Sequence, residues 1–177
     1  MKILVLSDTH AYLANARAVL RRLGERMDAV FHLGDHDDDA LQLQEEFPQL
    51  PFYFVKGNND FGVDTPPQRL VRLGGRALLL THGHMQRVSW NYDTISYWAE
   101  AQGADVVLFG HTHIPLWEER GRVALFNPGS ISLPRGGTMA TFGILTIENG
   151  KVEGAIMEYE DAEHWKRLHG KTAKRRT

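Results

Sequence analysis

The sequence holds nine histidines, and six of them stand in short polar clusters, two alongside aspartate. The clusters read SDTH (7–10), GDHDDD (34–39), GNND (57–60), THGH (81–84) and GHTH (110–113). Asp8, Asp35 and Asn58 offer oxygen donors, and His10, His82, His111 and His113 offer imidazole nitrogen. Seven such donors exceed what one tetrahedral zinc takes. They suit two ions that share a carboxylate. Mixed imidazole and carboxylate ligation fits borderline divalent transition metals such as manganese, iron, zinc, cobalt or nickel. Four histidines disfavour an all-oxygen magnesium or calcium cage. Two ions about 3.5–4 Å apart suit in-line displacement at phosphorus, a reaction that needs no side-chain nucleophile. Cysteine is absent, so thiol nucleophiles, disulfides and cysteine-ligated metals are excluded.

Each cluster alone has a plainer explanation. Gly-Asp and Gly-Asn make turns, Ser-Asp-Thr-His could cap a helix, and a lone histidine after a strand is ordinarily a surface residue. The order changes the weight. Every cluster closes an apolar run: KILVLS (2–7), AVFHLG (29–34), FYFVKG (52–57), ALLLT (77–81) and DVVLFG (105–110). Ligands of α/β proteins bind outside the carboxyl ends of strands, so five such ends are five arms toward one place. Residues i and i+2 of an extended chain project to one side, which would pair Asp8 with His10 and His111 with His113. Gly34, Gly57 and Gly110 permit tight turns and close backbone approach.

The elements behind these arms follow from periodicity. Helical spacing covers 13–25, 38–47 (stopped by Pro48) and 91–102, the last rich in aromatics and expected in a core or at a dimer face. The first third alternates strand and helix, the pattern of parallel βαβ units. Later strands meet at Gly74-Gly75, Arg120–Arg122 and Asn149-Gly150, which are hairpin signals, so the second half is expected to be largely antiparallel. One domain over 1–160 and a basic tail over 161–177 account for the 177 residues. Net charge is −2 and no apolar run reaches membrane-spanning length, so neither nucleic acid nor membrane is signalled. The N-terminus lacks the apolar length of a signal peptide, and a cytoplasmic setting is the expectation.

The ordered set DTH, GD, GN, THGH and GHTH, with NPGSISLPRGG at 127–137, resembles the calcineurin-like metallophosphoesterases, and among them the small bacterial and archaeal YfcE-type phosphodiesterases. The resemblance implies a four-layer α/β/β/α sandwich of two mixed β-sheets flanked by helices. It implies one metal at Asp8, His10, Asp35 and His113, and a second at Asp35, Asn58, His82 and His111, with Asp35 shared. The activity implied is hydrolysis of a phosphodiester, small or nucleotide-like, by a hydroxide that bridges the two metals. Asn59 departs from the histidine common at that position in the wider superfamily. Asparagine cannot serve as a general acid, so diesters or activated aryl phosphates are expected before alkyl monoesters. Asn59, Asp60, His84 and Arg135 are the candidates for contact with substrate, with His36 a lesser one. His32 is expected as a packed strand residue, and His164 and His169 as solvent-facing. A non-catalytic scaffold like the retromer subunit of the same fold is the alternative, and a nuclease a more distant one. Family members often self-associate, which makes a homo-oligomer an expectation as well.

Overall fold

The computed structural model describes residues 1–160. The expected basic tail, with His164 and His169, lies outside them. The chain runs β1 (Lys2–Leu6), α1 (Ala14–Leu23), a 3-10 turn (Gly24–Arg26), β2 (Ala29–His32), α2 (Asp37–Glu46), β3 (Phe52–Phe54), β4 (Gln68–Leu73) and β5 (Arg76–Thr81). It continues through α3 (Asp93–Ala101), β6 (Val106–Leu108), β7 (Leu116–Arg120), β8 (Val123–Asn127), β9 (Thr141–Glu148) and β10 (Lys151–Glu158).

The strands form two five-stranded sheets, ordered β10-β9-β1-β2-β3 and β4-β5-β6-β8-β7. Side-chain alternation sorts them into layers. Ile3, Val5 and Phe31 of the first sheet meet Leu78, Leu80, Val106, Leu108 and Phe126 of the second in a central core. Leu4, Leu6 and Val30 point the other way, onto Ala16, Val19 and Leu20 of α1 and Leu43 of α2. Leu79, Val107 and Leu125 face Ile95 and Ala99 of α3. The result is the expected α/β/β/α order, because both faces of each sheet are apolar and each needs a cover.

In the first sheet β1, β2 and β3 run parallel, as the alternation of strand and helix predicts. The second half is largely antiparallel, as expected, with one departure. The three hairpins form where their turns are, but β5, β6 and β8 pair in parallel. A parallel pair needs a long crossover. The segment carrying α3 supplies it between β5 and β6, and β7 occupies the return between β6 and β8. The hairpin partners β4 and β7 are left at the edges, while the β9-β10 hairpin returns to the first sheet beside β1. The parallel strands therefore bring their carboxyl ends to one edge of each sheet. The aromatic segment divides: Tyr92 and Trp98 pack against the α3 core, while Trp90 and Tyr97 are exposed.

Candidate metal centre

Except at β5, the strands stop sooner than the apolar runs do, and the residues after them turn sharply. Among the described residues nine that are not glycine have positive φ, and five are the candidate ligands Asp8 (φ 56), His10 (φ 49), Asp35 (φ 56), His111 (φ 67) and His113 (φ 60). The i, i+2 pairs are thus not side by side on an extended chain, as expected, but on left-handed turns. Such backbone costs on the order of 1–3 kcal/mol per residue and collects at functional sites. Two glycines make the crowding possible. A Cβ at Gly110 would strike the Ser7 hydroxyl and come within 2.7 Å of Asp8 Oδ2, and a Cβ at Gly57 would strike the backbone N of Asp35.

The seven donors converge. His113 Nε2 lies 3.2 Å from Asp8 Oδ1 and 3.2 Å from His10 Nε2. Asp35 turns Oδ2 toward His10 Nε2 at 3.7 Å and Oδ1 toward His82 Nε2 at 3.5 Å. Asn58 Oδ1 stands 3.1 Å from His82 Nε2 and 2.9 Å from His111 Nδ1. His82 and Asp8 Oδ1 are 4.0 Å apart. Asp8 with His10 and His113, and Asp8 with Asp35 and His82, each present donor atoms within 4.8 Å of one another.

Hydrogen bonds on the far side of these groups decide which atoms face inward. His82 Nδ1 faces the Leu33 carbonyl at 2.8 Å and His113 Nδ1 the Leu133 carbonyl at 2.6 Å. A carbonyl only accepts, so each Nδ1 carries the proton and donates, and each Nε2 is turned to the centre. Asp8 Oδ2 accepts from the Ser7 hydroxyl at 2.6 Å and from the His111 N–H at 3.1 Å. Asp8 Oδ1 is buried with no donor aligned on it.

The other expected site residues have distinct places. Asn59 donates to both oxygens of Asp35, from its N–H at 3.1 Å and its Nδ2 at 2.8 Å. Asp60 accepts from the N–H groups of His36, Asp37 and Gly57, which ties the Asp35 loop to the Asn58 loop. The His84 ring sits 5.5 Å from that of His82, its buried Nδ1 without a partner. Arg135 donates its backbone N–H to the His113 carbonyl at 3.3 Å, and its exposed side chain acts on His113 as a charge that opposes protonation. The His36 ring packs edge-on against His10 at 5.4 Å. Three polar residues that the motifs passed over support the loops: His32, which is fully buried, Ser130, which donates to the Asp8 carbonyl, and Asn127, which donates to the Gly110 carbonyl. Asn127 and Ser130 begin and end the NPGS stretch, whereas nothing local to His32 signals its contact.

Electrostatics follow burial and neighbours. Burial would raise the Asp8 carboxyl, but His113, His82 and Ser7 together hold it below its ordinary range. Burial lowers His10, against the pull of Asp35 and Asp8. Burial and His82 lower His84 and His111. Burial would lower His113 too, but the nearby Asp8 carboxylate raises it.

Residues 1–150 match the calcineurin-like phosphoesterase superfamily domain. The chain belongs to this superfamily. It is 37% identical over 150 residues to the probable metallophosphoesterase YsnB of Bacillus subtilis, covering 84% of this chain and 86% of that one. It is 40% identical over 99 residues to the phosphodiesterase YfcE of Escherichia coli, covering 51% of this chain and 50% of that one. A predicted phosphoesterase of Streptococcus pneumoniae has the same fold, with a TM-score of 0.77 and 31% identity over 91% of this chain and 93% of that one. Vps29 of Entamoeba histolytica, crystallised with zinc, shares the fold alone, at a TM-score of 0.71 and 21% identity over 90% of this chain and 100% of that one. The calcineurin-like phosphoesterase expected from the motifs is therefore what the chain is, and it is an enzyme of that class. The superfamily implies divalent metal ions, and the donor set fits them. A buried carboxylate oxygen lacks a donor, and imidazole nitrogens turned inward crowd the oxygens of Asp8, Asp35 and Asn58. No helix among the described residues is long and apolar enough to cross a membrane.

Proposed function

We propose that the chain is a dinuclear-metal phosphodiesterase. The observation that carries this reading is the disposition of Asp35, one oxygen toward His10 and the other toward His82. On that basis Asp8, His10, Asp35 and His113 would hold one ion, and Asp35, Asn58, His82 and His111 would hold the other. Two such ions, manganese foremost, would supply Lewis acidity for the phosphoryl oxygens and water of lowered pKa for attack at phosphorus. The chain's own groups do the rest. Asn59 fixes the rotation of Asp35 through two hydrogen bonds. Asp60 holds the Asp35 and Asn58 loops at one spacing. The half-buried His84 ring and the exposed Arg135 are placed beside the donors to meet the substrate, Arg135 as a guanidinium matched to phosphate oxygens. Exposed Tyr12, Phe61 and Met85, on the same loops as the donors, offer apolar surface to the ester groups of a small or nucleotide-like diester.

The test is hydrolysis of bis(p-nitrophenyl) phosphate by metal-free protein supplied with Mn²⁺. Turnover that requires the metal and falls by more than about 100-fold in Asp35→Asn and His82→Ala is expected. Turnover without metal, or unchanged in both variants, refutes the reading.

A further inference from the structure

Each sheet contributes a ligand-bearing tripeptide with a threonine at its middle. Thr9 lies between Asp8 and His10, and Thr112 between His111 and His113. Both threonines are held by a polar side chain that is 0% exposed and stands at the carboxyl end of the neighbouring parallel strand. In the first sheet that residue is His32, the last of β2, whose Nε2 is 3.0 Å from Thr9 Oγ1. The Gly34 N–H points at His32 Nδ1 at 3.4 Å, so the ring proton is on Nε2 and is donated to the threonine hydroxyl. In the second sheet the residue is Asn127, the last of β8. Its Nδ2 donates to Thr112 Oγ1 at 3.0 Å and to the Gly110 carbonyl at 2.9 Å, and its Oδ1 accepts from the Gly129 N–H at 2.9 Å.

Neither His32 nor Asn127 makes a hydrogen bond to any of the seven donors. Both are fully buried, where a leucine would avoid the cost of burying polar atoms. What their polar atoms do there is fasten the tripeptides. The fastening matters because the flanking donors sit on left-handed backbone, at φ 56 and 49 around Thr9 and φ 67 and 60 around Thr112. A strained turn persists only when its surroundings over-determine it. A side-chain bond from the middle residue to the next strand supplies that constraint for two donors at once.

We propose that His32 and Asn127 are positioning residues of the metal centre, each setting the direction of two metal-binding side chains through the hydroxyl of the threonine between them. The proposal rests on the dinuclear reading given above. It assigns His32 a role beyond strand filling, and it makes the two halves of the centre alike in construction.

The test is Mn²⁺ binding to metal-free protein by titration calorimetry, with thermal melts in chelator alongside. Thr9→Val and Thr112→Val remove the hydroxyl and keep the side-chain shape. Each is expected to weaken Mn²⁺ binding about 10–100-fold, the usual effect of losing a group that orients a metal ligand. His32→Gln keeps an N–H donor and is expected to bind within a few-fold of wild type, whereas His32→Leu falls to the level of Thr9→Val. The double variant Thr9→Val/His32→Leu is expected to bind no worse than either single one, because both remove the same bond. Melts place any general loss of stability, which a merely structural role would produce without a change in affinity. The proposal is overturned if wild type binds Mn²⁺ and both threonine variants bind it equally well. If His32→Leu does not fold, the two threonine variants decide the matter, since each keeps the buried partner in place. If wild type binds no divalent metal, the proposed function fails and this inference fails with it.

Discussion

His32 makes the folded protein sensitive to mild acid, and the size of the effect can be worked out. The imidazole is fully buried, and burial pulls its pKa from 6.5 to about 4 against the carboxylates of Asp39, Asp8 and Asp60. The folded state therefore keeps the ring neutral, while the unfolded chain protonates it near pH 6.5. Between those values the unfolded state binds more protons, so stability falls as pH falls from about 6.5 toward about 4. Integrating the two titrations gives about 2 kcal/mol lost between pH 8 and pH 5, and about 3 kcal/mol in full. His32→Gln lacks the titration. Urea unfolding of metal-free wild type and variant at pH 8 and pH 5 isolates the difference. Wild type is expected to lose about 2 kcal/mol more than the variant, or about 1 M in midpoint. Parallel losses would refute the reasoning, since they would mean that His32 titrates alike in the folded and unfolded chain.

Gly110→Ala would drive a methyl group into the Ser7 hydroxyl and Asp8 Oδ2. A destabilisation of about 1–3 kcal/mol and a loss of Mn²⁺ affinity are expected, read by melts and calorimetry. Leu80→Ala empties a fully buried position between the two sheets. It should cost about 2–5 kcal/mol in urea unfolding and leave the metal-directed residues intact. Asp60→Asn removes the charge that accepts three backbone N–H groups. A loss of about 1.5–3 kcal/mol is expected, with weaker Mn²⁺ binding because the Asp35 and Asn58 loops lose their tie; unchanged affinity would show that the loops hold their spacing without it.

The local signals in this chain were strong where the chemistry is local. Donor types, their order after apolar runs, the hairpin glycines and the helical spacings are all properties of a few adjacent residues, and each is legible without coordinates. They were enough for two sheets with flanking helices, the family and the set of seven converging side chains, with the layer order implied by the family resemblance. Strand pairing across long separations was not legible. The hairpins at Gly74-Gly75 and Asn149-Gly150 are visible in the sequence, yet the parallel pairing of β5, β6 and β8 depends on where α3 carries the chain, which no window of residues encodes. The conformation that aims the donors was also hidden. Asp8/His10 and His111/His113 have the spacing of extended pairs but sit on left-handed turns. Tertiary crowding against Gly110, with hydrogen bonds from buried side chains of neighbouring strands, holds them there. His32 and Asn127 show the division most clearly. By sequence one is a polar residue in an apolar strand and the other the start of a turn. Only the parallel register of β1 with β2 and of β6 with β8 brings each against the threonine of a metal-directed tripeptide. Residue types determined what the chain can bind, and pairing between distant strands decided how those residues are aimed, because direction is a property of the assembled backbone.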